Sequence, residues 1–239
     1  MPHRPNLTVG SYNIHKGVGS DYRRDPHRTI SVIREMGADL LALQEVDRRF
    51  GDRRGVLDLK SLYNATGLSP VPLTDRITDL AHGWHGNLLL FRNAEFESAR
   101  VITLPGLEPR GAIVADLRFA GQPLRVIAAH LGLLKGSRLS QAHRLAEEIG
   151  SDRPTLMMGD LNEWRQGPGC SLMPLKARLR AEDRGYGVPS FPSRRPTFSL
   201  DRIIGCTDAE IMDLSPHDTP LARKASDHLP IRANIRLGP

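Results

Sequence analysis

Short apolar segments rich in β-branched residues alternate along the chain with stretches in which hydrophobic positions recur every three or four residues. The first pattern is typical of buried strands and the second of amphipathic helices, so the alternation predicts an α/β fold. Helices are predicted at Arg28–Met36, Asp58–Thr66 and Ser137–Ile149. Strands are predicted at Leu7–Ile14, Leu40–Glu45, Asn87–Phe91, Ala99–Leu104, Ala112–Arg118, Leu124–His130, Pro154–Gly159, Ser199–Ile204, Ala209–Asp213 and Leu229–Leu237.

The third predicted helix has an identifiable apolar face. Leu139, His143, Ala146 and Ile149 are spaced to share one side of it, and this side is predicted to be buried. Gly150 follows directly and is typical of a glycine that ends a helix.

The proline- and glycine-rich stretch Gly185–Pro196 is the most loop-like part of the chain. It lies between predicted strands and not between regions of different composition, so we interpret it as a functional loop and not as a linker between domains. The chain contains no internal repeat or low-complexity tract. The pattern therefore predicts a single domain over residues 1–239.

Composition is ordinary for a soluble enzyme of 239 residues, with 39% hydrophobic and 25% charged residues. Cys170 and Cys206 have no metal-ligand spacing and form no disulfide framework, so they are predicted to be reduced structural thiols. The first residues lack the apolar stretch of a signal peptide, and no run approaches the ~20 apolar residues that span a bilayer. These features predict a cytoplasmic protein without a transmembrane segment, and peripheral membrane association stays open.

The net charge of +6 favours an anionic partner, although many basic proteins bind no polyanion. The distribution of the charge is more informative than its sum. Two groups of arginines flank predicted acidic positions: Arg48, Arg49, Arg53 and Arg54 follow Glu45, and Arg194 and Arg195 precede Asp201. If these segments are loops beside an active site, they hold phosphate groups. The alternative is that they are ordinary solvated loop charges.

Polar side chains of ligand or acid–base type occur at the ends of several predicted apolar strands. A polar residue at one strand end usually just enters solvent, but strand ends at one edge of a sheet converge and build sites in α/β folds. Carboxylate and amide oxygens suit a hard cation such as Mg²⁺ or Mn²⁺. The residues in question are Asn13, His15, Glu45, His130, Asp160, Asn162, Asp227 and His228.

Eight blocks of the sequence, in this order, resemble those of the endonuclease/exonuclease/phosphatase superfamily, which includes pancreatic-type DNases, abasic-site endonucleases, sphingomyelinases and inositol polyphosphate 5-phosphatases. The resemblance covers residues 7 to 237 and implies a four-layer α/β sandwich of two packed mixed β-sheets flanked by helices. The most specific blocks are GDLNEW and SDHLPI. The full set is SYNIHKG, LALQEVD, HGNLLLFRN, EPRGAIVADL, IAAHLGL, MMGDLNEW, SLDRIIG and ASDHLPI.

The resemblance implies a metal-dependent phosphoesterase that uses Mg²⁺ or Mn²⁺. Glu45 matches the carboxylate that holds the essential metal, Asn13 is expected to assist at the metal or the phosphate, and Asp227 lies close to the metal. A phosphorylated substrate is the expected partner, with a nucleic acid or a lipid headgroup among the candidates.

The resemblance also assigns residues to the chemical step. Asp160 matches the residue that aligns or deprotonates the attacking water, and Asn162 its partner in positioning the nucleophile or phosphate. His228 is similar to the histidine that stabilises the phosphorane-like transition state, and Asp201 to the acid that orients this histidine.

Three further residues complete the expected phosphate site, and one of them departs from the family pattern. By resemblance, His130 hydrogen-bonds a non-bridging phosphate oxygen and Arg110 binds phosphate. Abasic-site endonucleases have an acid where this chain has His15. This substitution weakens the case for a second metal and favours a substrate-phosphate contact, although His15 also fits an ordinary turn position.

The substrate stays open at this point. A nuclease is favoured by the positive charge, whereas the short chain leaves little room for insertions that grip DNA. A non-catalytic phosphate-binding module is the alternative of another class, and the complete set of site residues disfavours it. His82 and His85 are candidates for the rim of the site, while Trp84 and Trp164 are candidates either for stacking or for core packing.

Overall fold

The computed structural model describes residues 6–48, 51–181 and 187–238. Within these ranges the chain forms five α-helices and eleven strands. The helices are α1 (Pro26–Met36), α2 (Leu59–Thr66), α3 (Lys135–Ala146), α4 (Met173–Leu179) and α5 (Pro220–Ala225). The strands are β1 (Asn6–Asn13), β2 (Leu40–Gln44), β3 (Ser69–Pro70), β4 (Leu88–Phe91), β5 (Ala94–Leu104), β6 (Arg110–Phe119), β7 (Gln122–His130), β8 (Thr155–Asp160), β9 (Asp201–Gly205), β10 (Ala209–Pro216) and β11 (Ile231–Leu237).

Two mixed sheets are built from these strands. One has six strands in the order β10-β11-β1-β2-β4-β3, and the other has five in the order β5-β6-β7-β8-β9. In each sheet one pair near the centre is parallel, β1 with β2 and β7 with β8, and the other pairs are antiparallel.

The sheets face each other and each is covered by helices on its other side. The central core combines side chains of both sheets, such as Val9 and Ala42 from one and Val126 and Met158 from the other. Helices α1, α2 and α5 cover the six-stranded sheet, and α3 and α4 cover the five-stranded sheet. This α/β/β/α arrangement confirms the predicted four-layer sandwich.

Strand β2 shows why the sequence folds in this way. Successive side chains of a strand point to opposite faces, and both faces of β2 are covered. Leu40 and Ala42 therefore enter the core between the sheets, while Leu41 and Leu43 pack against the helices. All four are fully buried, which accounts for the uninterrupted apolar run.

The predicted apolar face of the third helix is only partly confirmed, because Ile149 and Ala146 pack in the core beside the five-stranded sheet whereas His143 is exposed. Leu139 is 40% exposed, whereas the polar Arg138 and Gln141 are buried. Their burial is offset by hydrogen bonds to the preceding loop: Gly132 N donates to Gln141 Oε1 (2.8 Å), and Arg138 Nη1 donates to Gly132 O (3.2 Å). The predicted glycine cap is wrong, because the helix ends at Ala146 and Glu147 caps it in a right-handed conformation.

Other differences from the predicted elements are small. Helices α4 and α5 have seven and six residues and β3 has two, which is too short for a periodic pattern to reveal. Residues 187–196 form a loop as predicted, and the first two residues of the predicted stretch Gly185–Pro196 lie outside the described ranges, as does Arg49. Both cysteines are free, as predicted. None of the described helices is long and apolar enough for a membrane crossing.

Candidate active site

The pairing of the strands brings most of the predicted site residues to one edge of the sandwich. In the parallel pair β7 and β8, His130 lies opposite Asp160, and in the next pair Asp160 lies opposite Asp201. Asn13 ends β1 in the other sheet and is bonded across the sandwich to Asp160. His228 precedes β11, the antiparallel neighbour of β1. The convergence expected from the sequence is therefore present.

The backbone turns sharply where the strands end. Glu45, Asn162 and His15 have φ angles of 56°, 52° and 45°, in the left-handed region that residues other than glycine seldom adopt. Such conformations cost about 1–3 kcal/mol each and persist where the surrounding structure fixes them. Each of these residues follows a strand directly or by two positions, so the turn directs its side chain along the edge of the sheet.

One glycine sets the spacing between β7 and β8. Gly159 has a φ of 150°, and a Cβ atom at this position would overlap the carbonyl oxygen of Ala129. Only glycine permits this close approach of the two strands. The next residue pair along the register is His130 and Asp160, so the glycine contributes to holding these two side chains together.

Asp160 is the centre of a buried hydrogen-bond network. Asn13 Nδ2 donates to its Oδ2 (3.0 Å), and the backbone N–H of Asn162 donates to its Oδ1 (3.1 Å). His130 Nε2 and His228 Nε2 lie 3.4 Å and 3.8 Å from the same Oδ2 atom. Apart from the partly buried Asn162, these side chains are nearly inaccessible, and Asp160 itself is 2% exposed.

The loop that carries Asn162 is held by hydrogen bonds of Asn162 itself and of the adjacent Glu163. Asn162 Nδ2 donates to Leu131 O (2.9 Å), which ties it to the end of β7. The adjacent Glu163 is fully buried, accepts hydrogen bonds from the N–H and hydroxyl groups of Ser171, and lies 3.4 Å from Arg138 Nη2. The loop after β8 is therefore anchored on both sides of Asn162.

His228 lies between two carboxylates. Its Nδ1 is 2.8 Å from Asp201 Oδ2, which also accepts a hydrogen bond from Ser190 Oγ (2.5 Å). Burial opposes the charged form of the imidazole, but Asp201 and Asp160 outweigh it and raise the pKa of His228 to about 10. The ring of Phe191 packs 4.8 Å from the imidazole. His228 is therefore an imidazolium at neutral pH.

His130 has the opposite character. Burial lowers its pKa to about 4, with the charge of Arg110 acting in the same direction and that of Asp160 opposing it. The two histidines beside Asp160 thus differ in charge at neutral pH: His228 is cationic and His130 is neutral. The difference arises because His228 has Asp201 as a dedicated partner.

The other half of the site is more open. The Lys16 ammonium forms an ion pair with Glu45 Oε2, and both side chains are about a quarter exposed, at 27% and 25%. Burial works against ionisation of Glu45, but the charges of His130 and Lys16 and the Lys16 hydrogen bond hold its pKa at about 2. His15 Nδ1 lies 3.6 Å from Asp227 Oδ1, and these side chains are still more exposed.

Arg110 lies at the start of β6 beside this open half. It lines a cavity of about 330 Å³ together with Glu45 and His130. Its Nη2 donates to Glu108 Oε2 (2.8 Å), so one side of the guanidinium is already paired. The phosphate contact expected of Arg110 stays a prediction, and the ion pair with Glu108 was not anticipated.

Comparison with known proteins identifies the family. The sequence profile of the Endonuclease/Exonuclease/phosphatase family matches residues 10–228. The chain belongs to this family. It is 32% identical, over 258 aligned positions, to the uncharacterized protein YbhP of Escherichia coli strain K12, and the alignment covers 97% of each chain.

Solved structures of the family share the fold. The endonuclease/exonuclease/phosphatase of Beutenbergia cavernae DSM 12333 superposes with a TM-score of 0.73 at 21% identity, covering 99% of this chain and 72% of that one. The mannosyl-6-phosphatase Bt3783 of Bacteroides thetaiotaomicron superposes with a TM-score of 0.71 at 16% identity, covering 96% and 99%. Enzymes of the family are phosphoesterases and in general depend on a divalent metal.

The donor set at the open half fits such a metal. Glu45 remains ionised and already holds a cationic ammonium, which is the behaviour expected of a carboxylate that receives a cation. The amide oxygen of Asn13 and the carboxylate of Asp227 are further hard donors. Asn13 Oδ1 accepts a hydrogen bond from His15 N (3.0 Å) and retains a second lone pair.

A second group of possible ligands in the described ranges lies in the buried network. One oxygen each of Asp160 and Asp201 and one nitrogen of His228 lie within 4.8 Å of one another. This group differs from the metal set predicted from the sequence. Its atoms are joined through the His228 imidazolium, which supplies positive charge between the two carboxylates, so we interpret it as a hydrogen-bonded relay and not as the metal centre.

Sequence reasoning missed three residues of the site. Lys16 pairs with Glu45, Ser190 donates to Asp201, and the fully buried Ser226 donates from Oγ to Asn13 O (2.8 Å). Lys16 and Ser226 lie inside the SYNIHKG and ASDHLPI blocks, so proximity to predicted ligands was the available signal. Nothing in the sequence near Ser190 indicated its contact with Asp201.

The aromatic and histidine candidates at the rim have different environments. Trp84 packs against the core and donates from Nε1 to Ile102 O (3.0 Å), which agrees with a packing role. Trp164 is 49% exposed. His82 is engaged with the backbone of Leu57, and His85 lines the same cavity as Arg110.

Proposed function

We propose that this protein is a divalent-metal-dependent phosphoester hydrolase that directs a water molecule at the phosphorus of a phosphomonoester or phosphodiester. One observation carries the proposal: a buried acceptor, Asp160, lies beside a charged donor, His228, at the edge of the sandwich where Glu45 also ends its strand. This combination provides both a proton acceptor for water and positive charge for the transition state.

Asp160 is proposed to orient the attacking water and accept its proton. The hydrogen bonds from Asn13 and from the Asn162 backbone fix both carboxylate oxygens, so the carboxylate needs little reorganisation before reaction. The Asn162 side chain, anchored to the end of β7, is proposed to position the nucleophile or phosphate. None of these residues forms a covalent intermediate in the proposal.

His228 is proposed to donate an Nε2–H hydrogen bond to a non-bridging oxygen as negative charge develops there, and to keep its proton. Asp201 holds the opposite ring nitrogen, so the donor is preorganised and charged before substrate arrives. His130 is proposed as a neutral donor to the same phosphate, and Arg110 and His15 as further phosphate contacts at the open side.

Glu45, Asn13 and Asp227 are proposed to hold the metal. A bound Mg²⁺ or Mn²⁺ supplies Lewis acidity toward the phosphoryl oxygen and the leaving group. The residues of the chain supply the remaining functions, which are to bind the phosphate, orient water and move its proton.

The proposal is tested with bis(p-nitrophenyl) phosphate, a generic phosphodiester, and p-nitrophenyl phosphate, a generic phosphomonoester. Purified protein is treated with EDTA, dialysed, and assayed before and after addition of Mg²⁺ or Mn²⁺. Hydrolysis that is lost with EDTA and returns with the metal supports the proposal. Hydrolysis that persists without metal, or a folded protein that hydrolyses neither substrate with metal present, contradicts it.

A nucleic-acid substrate is the second candidate, and one surface feature favours it. Trp164 and Phe198 form an edge-to-face pair with ring centroids 5.9 Å apart, and the Arg165 guanidinium lies 4.7 Å from the Trp164 ring. Both aromatic rings are more than two-fifths exposed, and Trp164 lies two residues from Asn162. Exposed rings flanked by arginine are typical of platforms on which unpaired bases stack.

Cleavage of a single-stranded oligonucleotide tests this candidate. Trp164→Ala should lower its cleavage by about tenfold, the order expected for losing one stacked base, with less effect on bis(p-nitrophenyl) phosphate. Equal effects on both substrates would reject the nucleic-acid candidate in favour of a small-molecule substrate. So would the absence of oligonucleotide cleavage by an enzyme that is active on small phosphoesters.

A further inference from the structure

The cavity beside Glu45 and His130 extends away from the reaction network toward the loop after β2. Ten described residues line its volume of about 330 Å³, and eight of them are ionisable. A volume of this order suits part of a small molecule and is too small for a nucleic-acid duplex. The cavity is therefore a candidate binding site for the part of the substrate to which the scissile phosphate is attached.

Most charges in the cavity are already balanced by a neighbour. Lys16 pairs with Glu45, and Arg110 pairs with Glu108. Arg53 has no ion pair within 4 Å to any residue in the described ranges, although the carboxylate of Asp47 acts on it at longer range. The cavity therefore holds one guanidinium that lacks a close counter-ion.

Three buried nitrogens in this cavity lack hydrogen-bond partners. They are Arg53 Nε, Arg110 Nε and His85 Nδ1. Each of these atoms is nearly inaccessible to solvent and has no hydrogen-bond partner among the described residues. Leaving a buried donor unpaired costs about 1–3 kcal/mol, more when the group is charged. The three side chains that carry these atoms are partly exposed and line one cavity, so a bound anion would supply acceptors to their exposed parts.

The position of His85 is fixed by the surrounding structure. Its φ is 49°, in the left-handed region, and its ring packs at right angles to Trp84 with centroids 5.1 Å apart. Gly111 makes room for this pair, because a Cβ atom there would overlap the Trp84 ring. Asn87 Nδ2 donates to Gly111 O (3.0 Å) and ties the turn to β6, next to Arg110.

Arg53 and Arg110 both act on His85. Burial lowers the pKa of His85, and the two guanidinium charges lower it further. The imidazole is therefore neutral at neutral pH and offers one N–H group, while the positive charge comes from the arginines. Planar guanidinium groups match the geometry of phosphate oxygens.

We propose that Arg53 and His85, together with the Arg110 guanidinium that also contacts the scissile phosphate, form a subsite for a second anionic group of the substrate, so that the preferred substrate is a small phosphoester carrying another phosphate-like group. This inference rests on the proposed function, because it assigns a substrate class to the same site. Asp47 also lines the cavity, and its Oδ2 lacks a partner while its Oδ1 accepts from His82 N (3.0 Å). The negative charge of Asp47 repels a bound anion. Removing this charge should therefore have the opposite effect on anion binding from removing an arginine.

The first test measures binding and needs no catalysis. Alkane-α,ω-bisphosphonates of two to six carbons, and alkylphosphonates of the same lengths, are titrated calorimetrically into EDTA-treated protein. At least one bisphosphonate should bind about tenfold or more tightly than its monophosphonate match. Arg53→Gln should remove this difference, because losing a charge-assisted hydrogen bond costs about tenfold or more in affinity.

Two variants serve as references for this titration. Arg54→Gln removes the adjacent, exposed guanidinium, which pairs with Asp52 and does not line the cavity, and it should keep the bisphosphonate preference. Asp47→Asn should strengthen bisphosphonate binding, because it removes a negative charge and keeps the oxygen bonded to His82. Weaker bisphosphonate binding in Asp47→Asn, or equal losses in Arg53→Gln and Arg54→Gln, overturns the inference.

The second test measures specificity by phosphate release from a hexose bisphosphate and from the hexose monophosphate with the same scissile group. The ratio of the two kcat/KM values should exceed about ten in the wild type and in Arg54→Gln, and should fall by about tenfold in Arg53→Gln and His85→Gln. A wild-type ratio near one in an enzyme that hydrolyses bis(p-nitrophenyl) phosphate overturns the subsite alone. Failure with both p-nitrophenyl phosphate and bis(p-nitrophenyl) phosphate overturns the proposed function, and the titration then decides the subsite by itself.

Discussion

The two halves of the candidate site differ in how firmly they are held. In the buried half, Asp160 has hydrogen-bond partners from both sheets, and it and its neighbours His130 and His228 are at most 5% exposed. In the open half, Glu45 and Asp227 are a quarter to two-fifths exposed. Glu45 is paired with the flexible Lys16, and Asp227 with His15 and the Ser226 hydroxyl.

This difference separates two requirements of a phosphoesterase. Proton acceptance and charge stabilisation depend on fixed geometry, which the buried half provides before any ligand binds. Cation and substrate binding require groups that exchange partners, and the Lys16–Glu45 pair has to open before Glu45 takes a metal. We therefore expect substitutions in the buried half to abolish turnover and substitutions in the open half to change affinities.

The largest effect is expected at the centre of the buried half. Asp160→Asn and His228→Ala should each lower kcat by roughly 10²–10⁴, the usual scale for losing an acid–base group. Stopped hydrolysis assays with bis(p-nitrophenyl) phosphate measure this, with thermal unfolding to confirm that the variants fold. His217→Ala removes a histidine outside the network and serves as the control. Near-normal turnover in either site variant would remove that residue from the chemistry.

A smaller effect on kcat is expected for Asp201, which contacts His228 and not the phosphate. Asp201→Asn should lower kcat by about 10–100-fold, the scale found for partners that orient a functional histidine. It should also lower the pKa of His228, because Asp201 is the main group that raises it. The alkaline limb of the kcat–pH profile should then move to lower pH. An unchanged profile with reduced kcat would indicate that Asp201 has only a packing role.

In the open half, one substitution is expected to strengthen metal binding. Lys16→Met removes the ammonium that competes with a metal for Glu45, so Mn²⁺ binding to metal-depleted protein should become about two- to fivefold tighter, as expected for a partly exposed ion pair. Titration followed by electron paramagnetic resonance measures the free Mn²⁺ directly. Weaker Mn²⁺ binding in this variant would show that Lys16 supports the metal site and does not compete with it.

The sequence was sufficient for the fold and for the strand-end residues of the buried half, because both depend on local features. Apolar runs predict the strands, and polar residues at the strand ends converge once strands pair in register, as Asp160 does with His130 and Asp201. Contacts between distant turns are not encoded in hydropathy, and they occur in both halves, as in the Lys16–Glu45 pair of the open half. The Ser190–Asp201 bond is such a contact, and the buried Arg138 is a polar residue for which local pattern gives the wrong face.

The charge states of the two buried histidines test the central claim most directly. Imidazole ¹⁵N chemical shifts of His228 and His130 are recorded on metal-depleted protein as a function of pH. We predict that His228 remains protonated until the pH approaches about 10, while His130 is neutral above about pH 5. Because the pKa of His228 exceeds its ordinary value of 6.5, the stability it contributes is complete below that pH and is lost as the pH rises through about 10. A neutral His228 at pH 7 would contradict the account, because the buried half would then lack its positive charge before substrate binds.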